Sequence, residues 1–443
     1  MTTSDADSIF QEEFDDPLSN LDNGSWPSAR LKHVSRINPN TLPSDVQNDW
    51  RIEYVDISSV NERGKITGTE NYLFEEAPSR ARRCVQHGDT IVSTVRTYLK
   101  AIAYVEDPPD NLVVSTGFAV VRPGSNLYPR FMWWCLQASP FVGWIVANSK
   151  GVSYPAISSS KLGELNIPLP DLENQKDVVS FLDYHSANID KLIDKKESLL
   201  ELLEEKRQAI IEQAFTSGLE PDDNFGTASW LTNLPSEWKM SRGRWLFEEV
   251  DERSEDGTEM LFSLRLDQGL IPHEDVSDKE FEPADLVDYK KVYTDQIVMN
   301  RMRAATGLIG VAPSEGLVSP DYAIFQAKEE VYPRFYEFLF RTELFKTLFR
   351  SRSSGLGTGS SGFLRLYSDQ FLSLWFPHPP LKVQKQIVES VDAQLELINN
   401  LSESTKNSIQ LLKQRRDALI TAAVTGQIDL SKWEGHENQE LTA

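Results

Sequence analysis

Two hydrophobic patterns alternate along the chain. Short runs rich in β-branched and aromatic residues, at 50–57, 89–94 and 118–121 and again at 296–299 and 307–311, predict strands. Each group ends at a proline-rich stop, Ile167-Pro-Leu-Pro170 and Phe376-Pro-His-Pro-Pro380, and helical periodicity follows. Residues 171–216 hold no Pro or Gly, so these 46 residues run roughly 70 Å if they form one helix at about 1.5 Å per residue. Sevens counted from Leu182 fall on Ile189, Lys196, Leu203 and Ile210, with His185, Leu192, Leu199 and Lys206 between them. The later stretch gives Val391, Ile398, Thr405, Leu412 and Leu419. Both seams are mostly apolar, with a polar residue at the matching point (Lys196, Thr405) and a base at Lys206 and Arg415. That pattern predicts two long helices paired antiparallel as a coiled coil, their register set by the polar interruptions.

The chain is written twice. Leu165-Asn-Ile-Pro-Leu-Pro-Asp-Leu-Glu-Asn-Gln-Lys176 matches Leu374-Trp-Phe-Pro-His-Pro-Pro-Leu-Lys-Val-Gln-Lys385 at a spacing of 209 (168 to 377). The spacing persists without a gap: Gln175 meets Gln384, Asp183 meets Asp392, Lys206-Arg207 meets Arg415-Arg416, and Ala214-Phe-Thr216 meets Ala423-Val-Thr425. Upstream, Tyr128-Pro-Arg-Phe131 recurs as Tyr332-Pro-Arg-Phe335 at a spacing of 204 (128 to 332). The expected fold is α+β: two globular modules of mixed strands and helices joined by two long antiparallel helices, a pseudo-two-fold internal repeat. The expected divisions are an acidic N-terminal tail (1–25), a first module (26–170), a first long helix (171–218), a linker (219–234), a second module (235–380), a second long helix (381–427) and a C-terminal tail (428–443).

Composition narrows the function. With 443 residues, 40% hydrophobic and 10% aromatic, the chain can fill two cores. Two cysteines, Cys84 and Cys135, without Cys-x-x-Cys spacing argue against a structural zinc site or a disulfide framework, and fit a reducing cytoplasm. The first 25 residues carry seven acids and no base, opposite to a secretory signal. The apolar stretch 131–148 contains Gln137, Ser139 and Pro140, and its counterpart is interrupted by Arg341, Glu343 and Lys346, so the pair predicts buried helices and no membrane span. The formal charge of −22 weighs against a protein that simply coats nucleic acid, since phosphate binding needs cations; a local basic surface remains compatible with it.

Catalytic motifs are weak. Asp107-Pro-Pro-Asp110 is like the (Asp/Asn)-Pro-Pro-aromatic motif of amino-methyltransferases, but Asp110 replaces the stacking aromatic and no glycine-rich cofactor loop precedes it, so a turn is expected. Pro221, Asp222, Glu237 and Lys239 satisfy a permissive nuclease pattern without strand context. The run 355–362 lacks the lysine of a phosphate-binding loop, and the six histidines show no ligand spacing. Neither metal nor catalysis is expected.

The two Pro-x-Pro-x-Leu-x-x-Gln-Lys segments, each followed by a long helix ending in Lys206–Ile211 or Arg415–Ile420, resemble the specificity subunits of Type I restriction-modification systems. The module openings Arg30-Leu-Lys-His-Val and Trp238-Lys-Met, and the strands beginning Gly88-Asp-Thr-Ile-Val and Asp295-Gln-Ile-Val, are similar too. The resemblance implies a non-catalytic subunit whose two target-recognition domains each read half of a split, asymmetric double-stranded DNA site. It also implies that the helices bind two methyltransferase subunits carrying S-adenosylmethionine, and that separate restriction/translocase subunits cut.

Arg suits guanine and Asn or Gln suits adenine, so candidate DNA contacts lie where cations and small polar residues cluster. In the first module these are Arg80, Arg82 and Arg83; Arg96, Thr97, Tyr98 and Lys100; and Lys150, Ser153 and Tyr154. In the second they are Arg301 and Arg303, then Arg350, Arg352, Ser353 and Ser354. The competing expectation is a protein-interaction scaffold with no intrinsic DNA specificity.

Overall fold

The apolar runs near residues 91 and 120 form the centre of a four-stranded antiparallel sheet in the order Ser35–Ile37, Phe118–Pro123, Thr90–Ser93, Ile102–Tyr104. The structure, a computed structural model, describes residue 18, residues 26–43, 45–151, 155–216, 220–221, 231–232, 235–266, 268–356 and 363–430, and residue 433. By internal contacts the chain divides into two units, Met1–Glu197 with Lys406–Ala443, and Ser198–Thr405.

In the first unit all four residues of Thr90–Ser93 are buried, which is why the adjacent Ile91 and Val92, on opposite faces, are both apolar. A second sheet runs Glu70–Leu73, Arg51–Val55, Leu112–Ser115, Ala81–Cys84, with its middle pair parallel. The stretch 131–148 becomes two buried helices, Pro129–Gln137 and Ser139–Ala147, separated at extended Ala138 because Pro140 starts the second. Phe131, Trp134, Phe141 and Ile145 fill the core against Leu31 and Val121.

The second unit repeats the first sheet strand for strand: Phe247–Val250, Tyr322–Ala327, Ile297–Asn300, Ile309–Val311. The second sheet is replaced by two ribbons, Phe262–Arg265 with Gly269–Pro272 and Lys290–Val292 with Gly316–Val318. Helices Pro333–Phe340 and Glu343–Arg352 contribute Phe335, Phe340, Phe345 and Phe349 to an aromatic core with Phe371 and Phe376.

The proline stops release two unbroken helices, Leu172–Thr216 with 45 residues and Leu381–Val424 with 44. Each gives one end to each unit. In the first, Val178 and Leu182 pack with Ile420, Ala423 and Val424, while Asp190 pairs with Arg416 at 3.2 Å, so the segments run antiparallel. In the second, Ile210, Ile211 and Phe215 share a core with Val388, Val391 and Leu395. The heptad count is correct at Leu182, Ile189, Leu203, Ile210 and Val391, and at Thr405, whose buried hydroxyl donates to Leu401 O at 2.7 Å. Ile398 and Leu419 are partly buried against the cores, and the count is off by one at three places. Leu192 is exposed and Ile193 buried; Lys206 and Arg415 face solvent while Arg207 and Arg416 turn inward. A helix of 3.6 residues per turn drifts about 20° per heptad, so a strict count of sevens walks off the buried stripe.

The repeated glutamine is a clamp. In the first unit Gln175 Oε1 accepts from Tyr128 N at 2.7 Å, and its amide donates to Asn126 O at 3.1 Å and Pro170 O at 2.7 Å. In the second, Gln384 makes the same three bonds, to Tyr332 N at 2.8 Å, Glu330 O at 3.0 Å and Pro379 O at 2.8 Å. Both are fully buried. The repeated aspartates tie the same helices down: Asp183 accepts from Arg130 and Trp134, and Asp392 takes Arg334 as a bidentate partner.

Candidate nucleic-acid interface

In each unit the loop that joins an inner strand of the repeated sheet to its adjoining edge strand carries cations. In the first it leaves Thr90–Ser93 and returns as Ile102–Tyr104; in the second it leaves Ile297–Asn300 and returns as Ile309–Val311. The loops have equal length and the same one-turn helix, Thr97–Leu99 and Ala304–Thr306, so Arg96 corresponds to Arg303 and Lys100 to Gly307.

The first loop is anchored from beneath. Thr97 is buried, its hydroxyl 2.9 Å from Ser149 Oγ, and Arg96 N donates to Pro155 O at 2.8 Å. Lys150 forms a two-bond bridge with Ala156. Two candidate segments 50 residues apart in sequence, at Arg96–Lys100 and at Lys150, are thereby joined into one surface (100 to 150). Arg96, Tyr98, Lys100 and Lys150 are exposed on it; Ser153 and Tyr154 lie outside the described residues.

Arg96 and Lys100 both adopt left-handed backbone, φ 50° and 52°. The second unit has glycine at the Lys100 position, at φ 80°. Side chains in this region cost stability that glycine avoids. Lys100→Gly is therefore expected to leave the first unit as stable or to stabilise it by up to about 1 kcal/mol. Calorimetry showing a loss of that size would rule out the left-handed assignment.

Of the arginines at 80–83, Arg80 is exposed and 3.5 Å from Asp56. Arg82 lies over the Phe74 ring at 4.9 Å, and Arg83 Nη1 donates to Thr41 Oγ1 at 3.4 Å, so both are engaged within the unit. Arg80 O accepts from Thr116 N, and neighbouring Gly117 O from Thr94 N, which connects Arg80 through one turn to the base of the first loop.

The second unit joins its two candidate segments as well. Arg301 O accepts from Leu366 N at 2.9 Å, directly after strand Phe363–Arg365, and that strand pairs with Ser354–Leu356 beyond the helix bearing Arg350 and Arg352. Gln370 donates to Ser354 Oγ at 2.9 Å. Arg301 itself is held by Glu249 at 2.8 Å and by Asp321 O. Arg303, Arg350 and Arg352 are exposed, and Ser353 is half-buried. Near Arg301, Lys290 is buried and pairs at 3.3 Å with the more exposed Asp251, and burial holds its ammonium below the usual lysine range even so. The glycine-serine run 357–362 lies outside the described residues.

Sequence reasoning passed over Leu99 and Met302, both exposed in these loops, because it searched for polar base readers. The available signal was large apolar residues at a cationic turn between two strands. The structure also gives Ser149 a role that the residue pattern does not, as the anchor of Thr97.

Asp107–Asp110 forms an exposed turn in which Leu112 N donates to Pro109 O and Asp107 pairs with His87 at 3.1 Å. Asp222 of the nuclease-like pattern lies outside the described residues. Among the described residues, no group of three or more His, Cys, Asp or Glu is arranged to hold a metal, and no helix is long and apolar enough to cross a membrane.

Comparison with known proteins gives one consistent result. Residues 23–202 match the model of the Type I restriction modification DNA specificity domain. The putative type I restriction enzyme MjaX specificity subunit of Methanocaldococcus jannaschii is 22% identical, covering 91% of this chain and 93% of its own length. The EcoKI specificity subunit of Escherichia coli K12 is 21% identical over 73% of this chain and 70% of its own. Among solved structures, a chain from a study of assembly and conformational transition in the type I R-M system superposes with TM-score 0.73 at 21% identity, covering 91% of this chain and 98% of that one. The HsdS subunit from Thermoanaerobacter tengcongensis gives 0.54 at 21% identity, covering 93% and 100%.

Proposed function

We propose, from the premise that this chain is a member of the Type I restriction-modification specificity-subunit family, that it reads a bipartite, asymmetric site on double-stranded DNA in the cytoplasm. The chain is a specificity subunit and not an enzyme. Each unit reads one half-site, and the two long helices fix the separation of the halves. Two methyltransferase subunits supply the S-adenosylmethionine chemistry, and restriction/translocase subunits cut.

The observation that carries this reading is the convergence, in each unit, of separated cationic segments onto one loop of a repeated sheet. Cations there meet phosphates while neighbouring side chains reach base edges. Leucines at equivalent points of the two long helices, Leu192 with Leu401 and Leu202 with Leu411, are exposed, which supports a matching pair of docking faces for two methyltransferases.

The test is to purify the chain with its neighbouring methyltransferase, let the complex methylate DNA, and sequence the product. One split, asymmetric motif is expected, and exchanging the two modules is expected to exchange its halves. Co-purification with unspecific methylation would favour a scaffold. With a charge of −22, the subunit alone is expected to bind its site weakly and to gain at least tenfold with the partner present, read by titration at fixed salt. Equal affinity in both states would contradict that.

A further inference from the structure

Resting on the DNA-reading role above, we infer that Tyr98 and Leu99 form an apolar wedge that enters a base step in the half-site read by the first unit. Adjacent side chains of this size are 53% and 47% exposed at the tip of a loop. Single exposed apolar residues are ordinary on protein surfaces, but these two are held out by construction. The preceding Thr97 is buried and bonded to Ser149, Arg96 N is bonded to Pro155 O, and Leu99 N and Lys100 N close the turn onto Arg96 O and Thr97 O. The two left-handed residues, Arg96 and Lys100, bracket the tip. A loop so anchored cannot fold its apolar tip back onto the core.

Proteins that open DNA by insertion present a stiff apolar side chain between base pairs, with cations beside it for the neighbouring phosphates. Exposed Arg96 and Lys100 stand on either side of Tyr98 and Leu99 in that arrangement. The ring of Tyr98 can stack on an unpaired face, while Leu99 fills the opened step.

The second unit supports the inference without copying it. In its loop of equal length the turn carries Ala305 and Thr306, and the exposed apolar residue is Met302, 44% accessible, next to exposed Arg303. Asn300 Oδ1 accepts from both Met302 N and Arg303 N, which fixes that limb of the loop. The wedge thus sits on the rising limb in one unit and at the crest in the other, so the two half-sites are opened at different places relative to the same sheet.

The experiment uses the complex of the full chain with its methyltransferase and duplexes bearing the sequenced motif, with 2-aminopurine placed singly along each half-site. Wild type is expected to raise the fluorescence of one step in the first half-site, away from the methylated base. The double variant Tyr98→Ala with Leu99→Ala is expected to abolish that rise and to weaken target binding about tenfold or more, while non-target binding changes by less than about twofold. Leu99→Met keeps the rise, which separates loss of the wedge from loss of the fold. Met302→Ala acts on the other half-site alone. Lys100→Gln instead weakens target and non-target DNA alike and lowers the salt slope by about one. A complex that selects its motif with no unstacked step, or a double variant that retains the step, overturns the wedge and leaves DNA reading intact. A wild-type complex with no preference for any motif overturns DNA reading itself.

Discussion

Replacing Asp89 by alanine is expected to cost the first unit about 3–5 kcal/mol, because it leaves a largely buried guanidinium without its anion. Asp89 is fully buried; its carboxylate accepts Arg122 Nε and Nη2 at 2.8 Å each, and also Gln86 N at 2.9 Å. The second unit solves the same position without charge. There Gln296 donates to Gln326 at 3.0 Å, and its oxygen accepts Tyr293 N at 2.9 Å, the counterpart of Gln86 N. The double variant Asp89→Gln with Arg122→Gln is therefore expected to recover most of the loss, since a neutral hydrogen-bonded pair avoids desolvating two ions. Hydrogen exchange of strands Thr90–Ser93 and Phe118–Pro123 reports on this unit specifically. If the double variant exchanges as fast as Asp89→Ala, the two pairs are not interchangeable and the correspondence fails.

Gln175→Leu is expected to destabilise the first unit by about 3 kcal/mol, and Gln384→Leu the second by a similar amount, since each removes a fully buried amide that serves one N–H and two carbonyls, one of those bonds being wholly buried. Glutamate at 175 keeps the bond from Tyr128 N but turns two donors into acceptors facing Asn126 O and Pro170 O. At neutral pH it is expected to be worse than leucine. Its folded-state pKa would lie above the unfolded one, so its destabilisation is relieved as pH falls through that raised value, where the protonated carboxyl can again donate to a carbonyl. Urea melts of Gln175→Glu across pH 4–8 test the sign; a variant that gains stability as pH rises would refute the clamp.

The repeat was legible because the clamp, the aspartates and the proline stops must each occur twice at one spacing to hold two helices the same way. Gln175 and Gln384 stand out in sequence, and the structure supplies the reason: no shorter side chain spans a backbone N–H and two carbonyls at once. The strands near 91, 120 and 298 were legible because burial on both faces puts adjacent apolar residues at their centres. What was not legible depends on geometry that pattern does not encode. Side chains facing inward on a long helix shift by one position with accumulated twist, so Arg416 and not Arg415 reaches Asp190. Nor did the sequence separate arginines engaged within a unit, such as Arg82 over Phe74, from those facing solvent, such as Arg80, because the same residue type serves both. The tip at Tyr98 and Leu99 was half seen, through its charge and not its apolar crest.

The first unit is assembled from residues up to Glu197 and from Lys406 onward. At a synthesis rate of about 5–20 residues per second, the intervening chain takes roughly 10–40 s to emerge from a ribosome. Throughout that interval Val178 and Leu182 have been made, while Ile420, Ala423 and Val424, which complete their core, have not. The first module to be translated is thus the last able to finish folding, and the stripe it exposes meanwhile is a ready target for a chaperone or for another nascent chain on the same message.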